Sequence, residues 1–156
     1  MEHENCLICD RIQMIENGTN PYFVKELETG YVVIGDHQHF QGYTLFLCKQ
    51  HVRELHDLEL PFKLKHLDEM SLVSEAVHKA FKPDKINIES LGNGDAHLHW
   101  HIFPRRKGDI AGSIPGPVWW LPLEKMNSDD NRPSAEVLRE YVDKLRAASD
   151  SLGRAT

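Results

Sequence analysis

The sequence predicts an α+β fold, in which a mainly antiparallel sheet of about five strands is crossed by one long helix and followed by a C-terminal helix. Two segments with apolar residues at helical spacing support this prediction, a long one over 62–81 and an amphipathic one over 134–149. The third observation is a set of short apolar segments of strand length, bounded by turn residues. These segments span residues 22–28, 31–35, 43–48, 85–90 and 97–103.

The chain begins with a short helix and a hairpin. Apolar residues at helical spacing predict a helix over 7–17, and Gly18 can end it. Residues 22–28 and 31–35 then predict a β-hairpin, in which the intervening Thr-Gly pair forms the turn. Residues 43–48 are expected to add a third strand.

The middle of the chain carries the long helix and the two strands that follow it. Apolar periodicity predicts a helix over 62–81, which Pro83 ends. Residues 85–90 predict a strand and, after a turn with two glycines, residues 97–103 predict another strand that ends at Pro104.

The C-terminal part differs in composition. After the last strand, a segment rich in Gly and Pro is expected to be irregular, and Ser134 is expected to cap a final helix over 134–149. No internal repeat or low-complexity linker is visible. We therefore predict a single domain over residues 1–156, with its core at about 5–110 and the irregular segment and helix over 111–156.

Composition limits the classes of function. The chain has 156 residues, a net charge of −6 and 40% hydrophobic residues, which suits one globular core. An acidic protein is a poor candidate for a nucleic-acid polymer, because that affinity depends on many Lys and Arg contacts to phosphates. No apolar segment approaches the roughly 20 residues that span a bilayer, and the charged N-terminus shows no signal peptide. We expect a cytoplasmic protein without a membrane partner, in which Cys6 and Cys9 are reduced and form a metal or redox pair.

The segment HLHWHIF over 97–103 places a histidine at every second position. Because side chains alternate between the two faces of a strand, the three histidines share one face and the apolar residues between them share the other. The apolar face is expected to pack against the helices. The histidines are His97, His99 and His101.

Three interpretations of this histidine face remain open from the residues alone. The simplest is a solvated polar surface. A metal site is limited by geometry, because alternate residues lie roughly 6.6 Å apart along a strand, which separates His97 from His101 by roughly 13 Å. One ion, with bonds of about 2 Å, can take two adjacent histidines but hardly all three. An extended anion such as a polyphosphate fits the row, since imidazole can be a nucleophile, a donor to phosphate oxygen and a proton shuttle.

Several motifs in this order resemble the histidine triad (HIT) superfamily of nucleotide hydrolases and transferases, in the form of a bacterial-type member with a Cys-x-x-Cys zinc motif. The motifs are CLICD, the apolar segment GYTLFLCKQHV over 42–52, HLHWHIF and the trailing PRRKGD. Together they cover roughly residues 5–110. The resemblance implies a HIT-like fold and cleavage of a nucleotide at its α-phosphate through a covalent nucleotidyl-histidine.

The resemblance also implies catalytic and nucleotide-binding roles. His99, the middle histidine, is the expected nucleophile. A backbone carbonyl at His97 holds the other ring nitrogen of His99, and His101 contacts the phosphate. Asp36 is expected to bind the ribose hydroxyls, and Asn93 is a candidate amide donor to the nucleotide.

A subset of the family carries zinc, and the resemblance implies four zinc ligands here, namely Cys6, Cys9, His51 and His97. Two thiolates and two imidazoles suit tetrahedral zinc, and a site with four protein ligands is closed and therefore structural. Only His97 of the histidine row is then taken by the metal.

One departure from the family pattern concerns the leaving group. Many members have a Gly-rich loop that ends in Gln-Ser or Gln-Thr before the first histidine, whereas this chain has LGNGDAH. Dinucleoside polyphosphates, nucleoside phosphoramidates and sugar nucleotides therefore all remain candidate substrates.

We expect a hydrolase of dinucleoside polyphosphates or nucleoside phosphoramidates, with an adenine nucleotide as its small-molecule ligand and a homodimer as its possible assembly. The alternatives are a nucleotidyl transferase or phosphorylase with the same chemistry, a nucleotide-binding module with little turnover, and a metalloenzyme whose triad holds a catalytic metal.

Three further sets of residues have no single interpretation or no expected role. The basic cluster after the triad is either an electrostatic guide for polyphosphate or a solvated strand end. The paired tryptophans either cap the nucleotide site, form a dimer contact or pack on their own domain. Five histidines are expected at the surface without a function. These sets are Arg105, Arg106 and Lys107; Trp119 and Trp120; and His37, His39, His56, His66 and His78.

Overall fold

A computed structural model describes residues 5–112 and 115–153. The two ends of the expected domain, residues 1–4 and 154–156, lie outside the described residues. So do residues 113–114 of the Gly- and Pro-rich segment. Residues 1–4 belong to the N-terminal segment in which we expect no signal peptide. No helix within the described ranges is long and apolar enough to cross a membrane.

The α+β prediction is confirmed, because five strands of the described residues form one antiparallel sheet. They are β1 (Phe23–Glu26), β2 (Gly30–Ile34), β3 (Thr44–Cys48), β4 (Lys85–Glu89) and β5 (His99–Arg105). Their order in the sheet is β1-β2-β3-β5-β4, and each neighbouring pair is antiparallel. The histidine strand β5 is therefore an inner strand between β3 and β4.

Helices cover both faces of the sheet. They are α1 (Leu7–Glu16), α2 (Leu60–Phe81), α3 (Leu123–Met126) and α4 (Ala135–Ser151). Helices α2 and α4 pack with the sheet into the main core, which contains Phe46 of β3. Helix α1 packs on Leu47, the next residue of β3, and on its neighbours. Since successive side chains of a strand point to opposite faces, α1 lies on the other side of the sheet.

The two longer helices end as their sequences predict. The Ser134 hydroxyl accepts a hydrogen bond from the Val137 N–H at 3.2 Å and so caps the start of α4. At the other end of α2, Lys82 has a left-handed backbone with φ of 49°. Pro83 explains this end, because a proline disfavours helical geometry in the residue before it.

The hairpin turn differs from the prediction at Gly30. This residue belongs to β2, and its carbonyl accepts a hydrogen bond from the Leu27 N–H at 2.8 Å. A Cβ atom on Gly30 would come within 2.5 Å of the Leu47 carbonyl oxygen and 2.6 Å of the Phe46 ring. The glycine is therefore required by the close approach of β3, and the turn lies before it.

Strand β5 is also displaced from its predicted bounds. It starts at His99 and continues to Arg105, so that Pro104 lies inside the strand and pairs with Ile86 of β4. The pairing of β3 with β5 extends only to Ile102. Pro104 therefore has a neighbouring strand on one side only, and a missing N–H is tolerated there.

The expectation of a surface position is wrong for His66, which is fully buried on α2. Its Nε2 accepts a hydrogen bond from the Trp100 indole at 3.0 Å, and its Nδ1 lies 2.9 Å from the Thr29 hydroxyl. The Thr29 hydroxyl donates in turn to the Glu69 carboxylate at 2.5 Å. Burial lowers the pKa of His66 to about 4, so the ring is neutral near pH 7.

Candidate active site and metal centre

Two of the three row histidines, His99 and His101, line one cavity of about 450 Å³. Their partners across the β3–β5 ladder are Leu47 and Leu45, and these leucines line the same cavity. His99 is only 6% exposed, and its ring centroid lies 4.8 Å from that of His101. The predicted alternation along the strand thus places both imidazoles on one concave surface.

The backbone determines which nitrogen of His99 faces the cavity. Nδ1 of His99 lies 2.5 Å from the carbonyl oxygen of His97, and a carbonyl oxygen can only accept. Nδ1 therefore carries the hydrogen, which leaves a lone pair on Nε2. Among the described residues, Nε2 has no hydrogen-bond partner, and it belongs to a side chain that lines the cavity. This arrangement is suited to nucleophilic attack.

Aromatic contacts hold the second imidazole, His101. Its Nδ1 lies 2.6 Å from the Tyr43 hydroxyl, and its ring is nearly parallel to those of Tyr43 and Phe103 at centroid distances of 6.0 and 5.9 Å. The Tyr43 and Phe103 rings stack on each other at 4.4 Å. Burial, with a smaller contribution from His99, lowers the pKa of His101 to about 4. Burial also raises the pKa of Tyr43, so that both groups are neutral near pH 7. His101 can therefore offer a neutral N–H donor without repelling His99.

The rest of the cavity wall is mostly apolar, with a few polar groups. Such a wall is typical of a site that takes a flat organic group and orients it through few hydrogen bonds. The apolar part comes from α1, α3, the sheet and the residues just before β1 and β3, and it consists of Leu7, Ile8, Tyr22, Val33, Ile34, Tyr43, Leu45, Leu47 and Met126. The remaining polar part consists of Arg11, Asn20, Asp36, His37, Asp95 and Asn127.

The structure places the two expected nucleotide-binding residues differently. Asp36 lines the cavity just after β2, where its carboxylate pairs with Arg11. Asn93 is exposed in the loop before β5 and is not part of the cavity wall, whereas Asp95 is. The role of Asn93 stays a prediction.

The four expected zinc ligands lie together beside the cavity. Their ligand atoms are all within 4.8 Å of one another, and the residues are Cys6, Cys9, His51 and His97. Sulfur–nitrogen distances are 3.6 Å from Cys6 to His97, 3.2 Å from Cys9 to His51 and 3.4 Å from Cys9 to His97. The two Nδ1 atoms are 3.1 Å apart. Tetrahedral zinc with ordinary bond lengths requires separations of roughly 3.6 Å between sulfur and nitrogen and roughly 3.3 Å between nitrogens. The cluster therefore fits a tetrahedral metal ion.

The orientation of His97 supports the same conclusion. Its Nε2 lies 2.7 Å from the Cys48 carbonyl oxygen and must donate to it. The lone pair is then on Nδ1, the atom that faces the two thiols and His51. A carbonyl that holds the outer nitrogen of a histidine ligand is a usual feature around protein metal sites.

The basic cluster after the triad has structural contacts. Arg105 is 8% exposed, and it bonds to Asp109 through two nitrogens at 2.8 and 2.9 Å. Arg106 donates to the carbonyl oxygens of Gln41 and Phe81 at 2.8 Å. The Lys107 side chain is exposed. The two arginines thus contribute contacts within the fold, a role that neither of the two interpretations gives them. Of the tryptophan pair, Trp119 is 69% exposed, so its side chain does not pack in the described core.

Sequence reasoning did not identify Tyr43 or Arg11 as site residues. Tyr43 has a detectable signal, because it alternates with Leu45 and Leu47 on the face that meets His101. Arg11 has no comparable signal, since its partner is 25 residues away in a loop.

The structure combines an α+β fold, a cavity lined by two histidines of one strand, and a neighbouring cluster of two thiols and two imidazoles that could hold a metal ion. The HIT domain family model matches residues 22–108, more than half of the chain. The chain therefore belongs to the HIT family. No curated protein is similar enough to match.

Solved structures agree with this assignment at the level of the fold. A histidine triad protein from Sinorhizobium meliloti has a TM-score of 0.70 and 24% identity, and the match covers 81% of this chain and 87% of that one. A histidine triad protein from Bradyrhizobium japonicum has a TM-score of 0.67 and 28% identity, with 81% and 88% covered. A zinc-bound histidine triad family protein from Mycobacterium smegmatis has a TM-score of 0.63 and 21% identity, with 95% of each chain covered.

Proposed function

We propose that the protein is a nucleotide phosphohydrolase that cleaves a dinucleoside polyphosphate or a nucleoside phosphoramidate at its α-phosphate through a nucleotidyl-histidine. The observation that carries the proposal is the geometry of His99. Its Nδ1 is fixed by the His97 carbonyl at 2.5 Å, and its other nitrogen belongs to a side chain in the cavity wall. Membership of the HIT family supports the same chemistry.

The reaction has two displacements at phosphorus. In the first, the lone pair of His99 Nε2 forms a bond to the α-phosphorus, and the bond to the leaving group breaks. The leaving group departs with the electron pair and takes up a proton. In the second, water attacks the phosphorus, the N–P bond breaks and its electron pair returns to Nε2. Nucleoside monophosphate is released, and the proton that the water loses replaces the one that the leaving group took from solvent.

The neighbouring residues bind and orient the nucleotide. His101 is neutral and lies beside His99, so its ring N–H is suited to a non-bridging phosphate oxygen. Asp36 binds the ribose hydroxyls, and the apolar wall takes the base, with adenine as the expected base. Asn93 meets the nucleotide if the loop before β5 closes over the cavity.

Zinc is the metal that we assign to the cysteine–histidine cluster. When bound there by four protein ligands, it would supply a structural cross-link and no open coordination position. The cross-link would join the start of α1, through Cys6 and Cys9, to the residues before β5, through His97. Zinc content by elemental analysis should be close to one ion per chain and fall in Cys9→Ser, with a lower melting temperature. A Cys48→Ser variant, whose thiol lies outside the cluster, is the control for zinc content.

The proposal also covers the domain organisation, the location and the assembly of the protein. We propose one HIT domain over residues 1–156, a cytoplasmic location and assembly as a homodimer. Light scattering of the purified chain tests the assembly, and a monomer at micromolar concentration would contradict it.

The experiment that tests the function separates covalent catalysis from binding. Wild type, His99→Ala and the exposed-histidine control His78→Ala are incubated with diadenosine tetraphosphate or adenosine 5′-phosphoramidate. Samples are quenched in denaturant for intact-protein mass spectrometry. We expect turnover and a transient nucleotide adduct on wild type and on His78→Ala. In folded His99→Ala the adduct is absent, and kcat falls by about 10⁴-fold or more.

Two other outcomes would contradict the proposal. An unimpaired His99→Ala variant would exclude the covalent mechanism, and binding without turnover in wild type would favour a nucleotide-binding module. Faster discharge of the adduct by phosphate or a sugar phosphate than by water would instead assign a transferase or phosphorylase.

A further inference from the structure

One member of an ion pair in the cavity wall, Arg11, has no role in the mechanism above. Arg11 on α1 meets Asp36, which follows β2. Nη1 donates to Oδ1 at 3.1 Å and Nη2 donates to Oδ2 at 2.7 Å, so the contact is bidentate. The two side chains are 30% and 28% exposed, and both residues line the cavity. The pair is therefore open to a ligand.

Arg11 is itself held in place by its neighbours. Its guanidinium lies over the Tyr22 ring, 5.8 Å from the centroid. The Asn20 side chain donates to the Arg11 carbonyl oxygen at 3.2 Å and accepts from the Tyr22 N–H at 2.9 Å. The guanidinium fork thus has a defined position from which to orient the carboxylate.

The hydrogen-bonding capacity of Asp36 exceeds what Arg11 uses. An ionised carboxylate has about four lone-pair directions, and the bidentate contact occupies two of them. The two that remain, one on each oxygen, match the two O–H donors of a vicinal diol. A 2′-deoxyribose has only one of these donors. Without Arg11, the carboxylate would rotate freely between the ligand and water.

We propose that Arg11 is a specificity-determining residue, which holds the Asp36 carboxylate in the orientation that accepts both ribose hydroxyls and so makes the cavity prefer ribonucleotides to 2′-deoxyribonucleotides. The inference rests on the proposed function, in which Asp36 binds the ribose. Arg11 itself does not touch the sugar, and it acts through the carboxylate.

The test is a comparison of binding affinities, which does not require turnover. AMP and 2′-deoxy-AMP are titrated calorimetrically into the full-length wild type and into Arg11→Met, which keeps the apolar stem and removes the fork. We expect wild type to bind AMP about tenfold more tightly than 2′-deoxy-AMP. In Arg11→Met, binding of AMP weakens by about tenfold and binding of 2′-deoxy-AMP changes less, so that the preference disappears.

Two further variants make the test specific. Lys25→Met removes another ion pair, to Asp150 at 2.6 Å, which lies outside this cavity, and it should keep the wild-type preference. Arg11→Lys keeps the charge without the fork and should retain only part of the preference. Arg11→Lys also carries the test if Arg11→Met does not fold, as judged by circular dichroism.

Several results would overturn the inference. They are an unchanged preference in folded Arg11→Met, tighter AMP binding in that variant, or no preference in wild type. Tighter binding would mean that Arg11 competes with the sugar for Asp36. Because adduct formation on His99 is measured separately, loss of the ribose preference and failure of the covalent mechanism are distinguishable.

Discussion

A buried histidine lies on each face of β5, and the two histidines differ in their hydrogen-bond partners. On one face, Trp100 donates to His66, both of whose ring nitrogens are within hydrogen-bond distance of protein atoms. On the other face, His99 donates from Nδ1 to the His97 carbonyl, and its side chain lines the cavity. Burial is similar, at 0% and 6% exposure. The two histidines differ in the second ring nitrogen, which has a protein partner in His66 and none among the described residues in His99.

The closed face is a chain of hydrogen bonds with one consistent direction. The Trp100 indole donates to His66, His66 donates to the Thr29 hydroxyl, and the hydroxyl donates to Glu69. The carboxylate also accepts the backbone N–H groups of Glu28 and Thr29 at 3.0 and 2.8 Å. Each polar group is satisfied, so removal of one member leaves another buried and unpaired.

The largest effect should come from alanine variants of these two histidines, because one should lose stability and the other should lose activity. His66→Ala opens a cavity and leaves the Trp100 N–H without a partner, so we expect a loss of about 3–5 kcal/mol in the free energy of unfolding. His99→Ala should lose activity but stay within about 1 kcal/mol of wild-type stability, because it removes one wall of an existing cavity. Urea unfolding and steady-state kinetics on both variants check this. Equal losses of stability would contradict the comparison.

An intermediate effect should appear in the pH dependence of stability. Burial lowers the pKa of His66 and of His101 to about 4, below the ordinary value of 6.5. The unfolded chain therefore takes up protons below pH 6.5 that the folded chain excludes until about pH 4. Stability should fall as the pH decreases through this window, by up to about 1.4 kcal/mol per pH unit for each histidine.

Variant His66→Gln isolates one of these contributions, because it keeps the other titrating groups. Its slope of unfolding free energy against pH should be smaller than that of wild type by the share of one histidine. Urea unfolding from about pH 7 to about pH 4.5 measures the slope. Parallel curves for wild type and variant would show that folding does not lower the pKa of His66.

The smallest effect should come from Tyr43→Phe, on the open face. The variant removes the hydroxyl that lies 2.6 Å from His101 Nδ1 but keeps the stacking on Phe103. We expect a loss of about 1 kcal/mol in the free energy of unfolding. The kcat should fall by about tenfold, because His101 loses its fixed ring plane. Phe40→Leu, in the apolar cluster that also contains Tyr43, is a control for packing, and a similar fall in kcat there would argue against the role of the hydroxyl.

Much of the fold could be predicted from local patterns, and the metal cluster from the resemblance to the family. Alternation along HLHWHIF predicts the two faces of β5, and Trp100 and Ile102 do pack on the helix side. The ligands Cys6, Cys9, His51 and His97 are brought together as the resemblance implies. Residue types with strong geometric preferences carry this information.

The remaining features depend on long-range packing. His66 is an ordinary polar residue in the sequence, and its burial follows from its place on the apolar face of α2, one turn before Met70. The contact of Arg11 with Asp36 depends on how α1 sits on the sheet. In the loop before β5, Asp95 rather than Asn93 reaches the cavity, since the path of a glycine-rich loop cannot be derived from residue types.

Helix α1 contributes to two sites from adjacent residues. Cys6 at its N-cap and Cys9 belong to the metal cluster, whereas Ile8 and Arg11 line the cavity. A helix advances by about 100° per residue, so the assignment of side chains to the two sites depends on an unbroken count along the chain. We therefore expect α1 to accept many substitutions during evolution but no insertion or deletion. A change of one residue after Cys9 would leave the thiols in place and turn Arg11 away from the cavity.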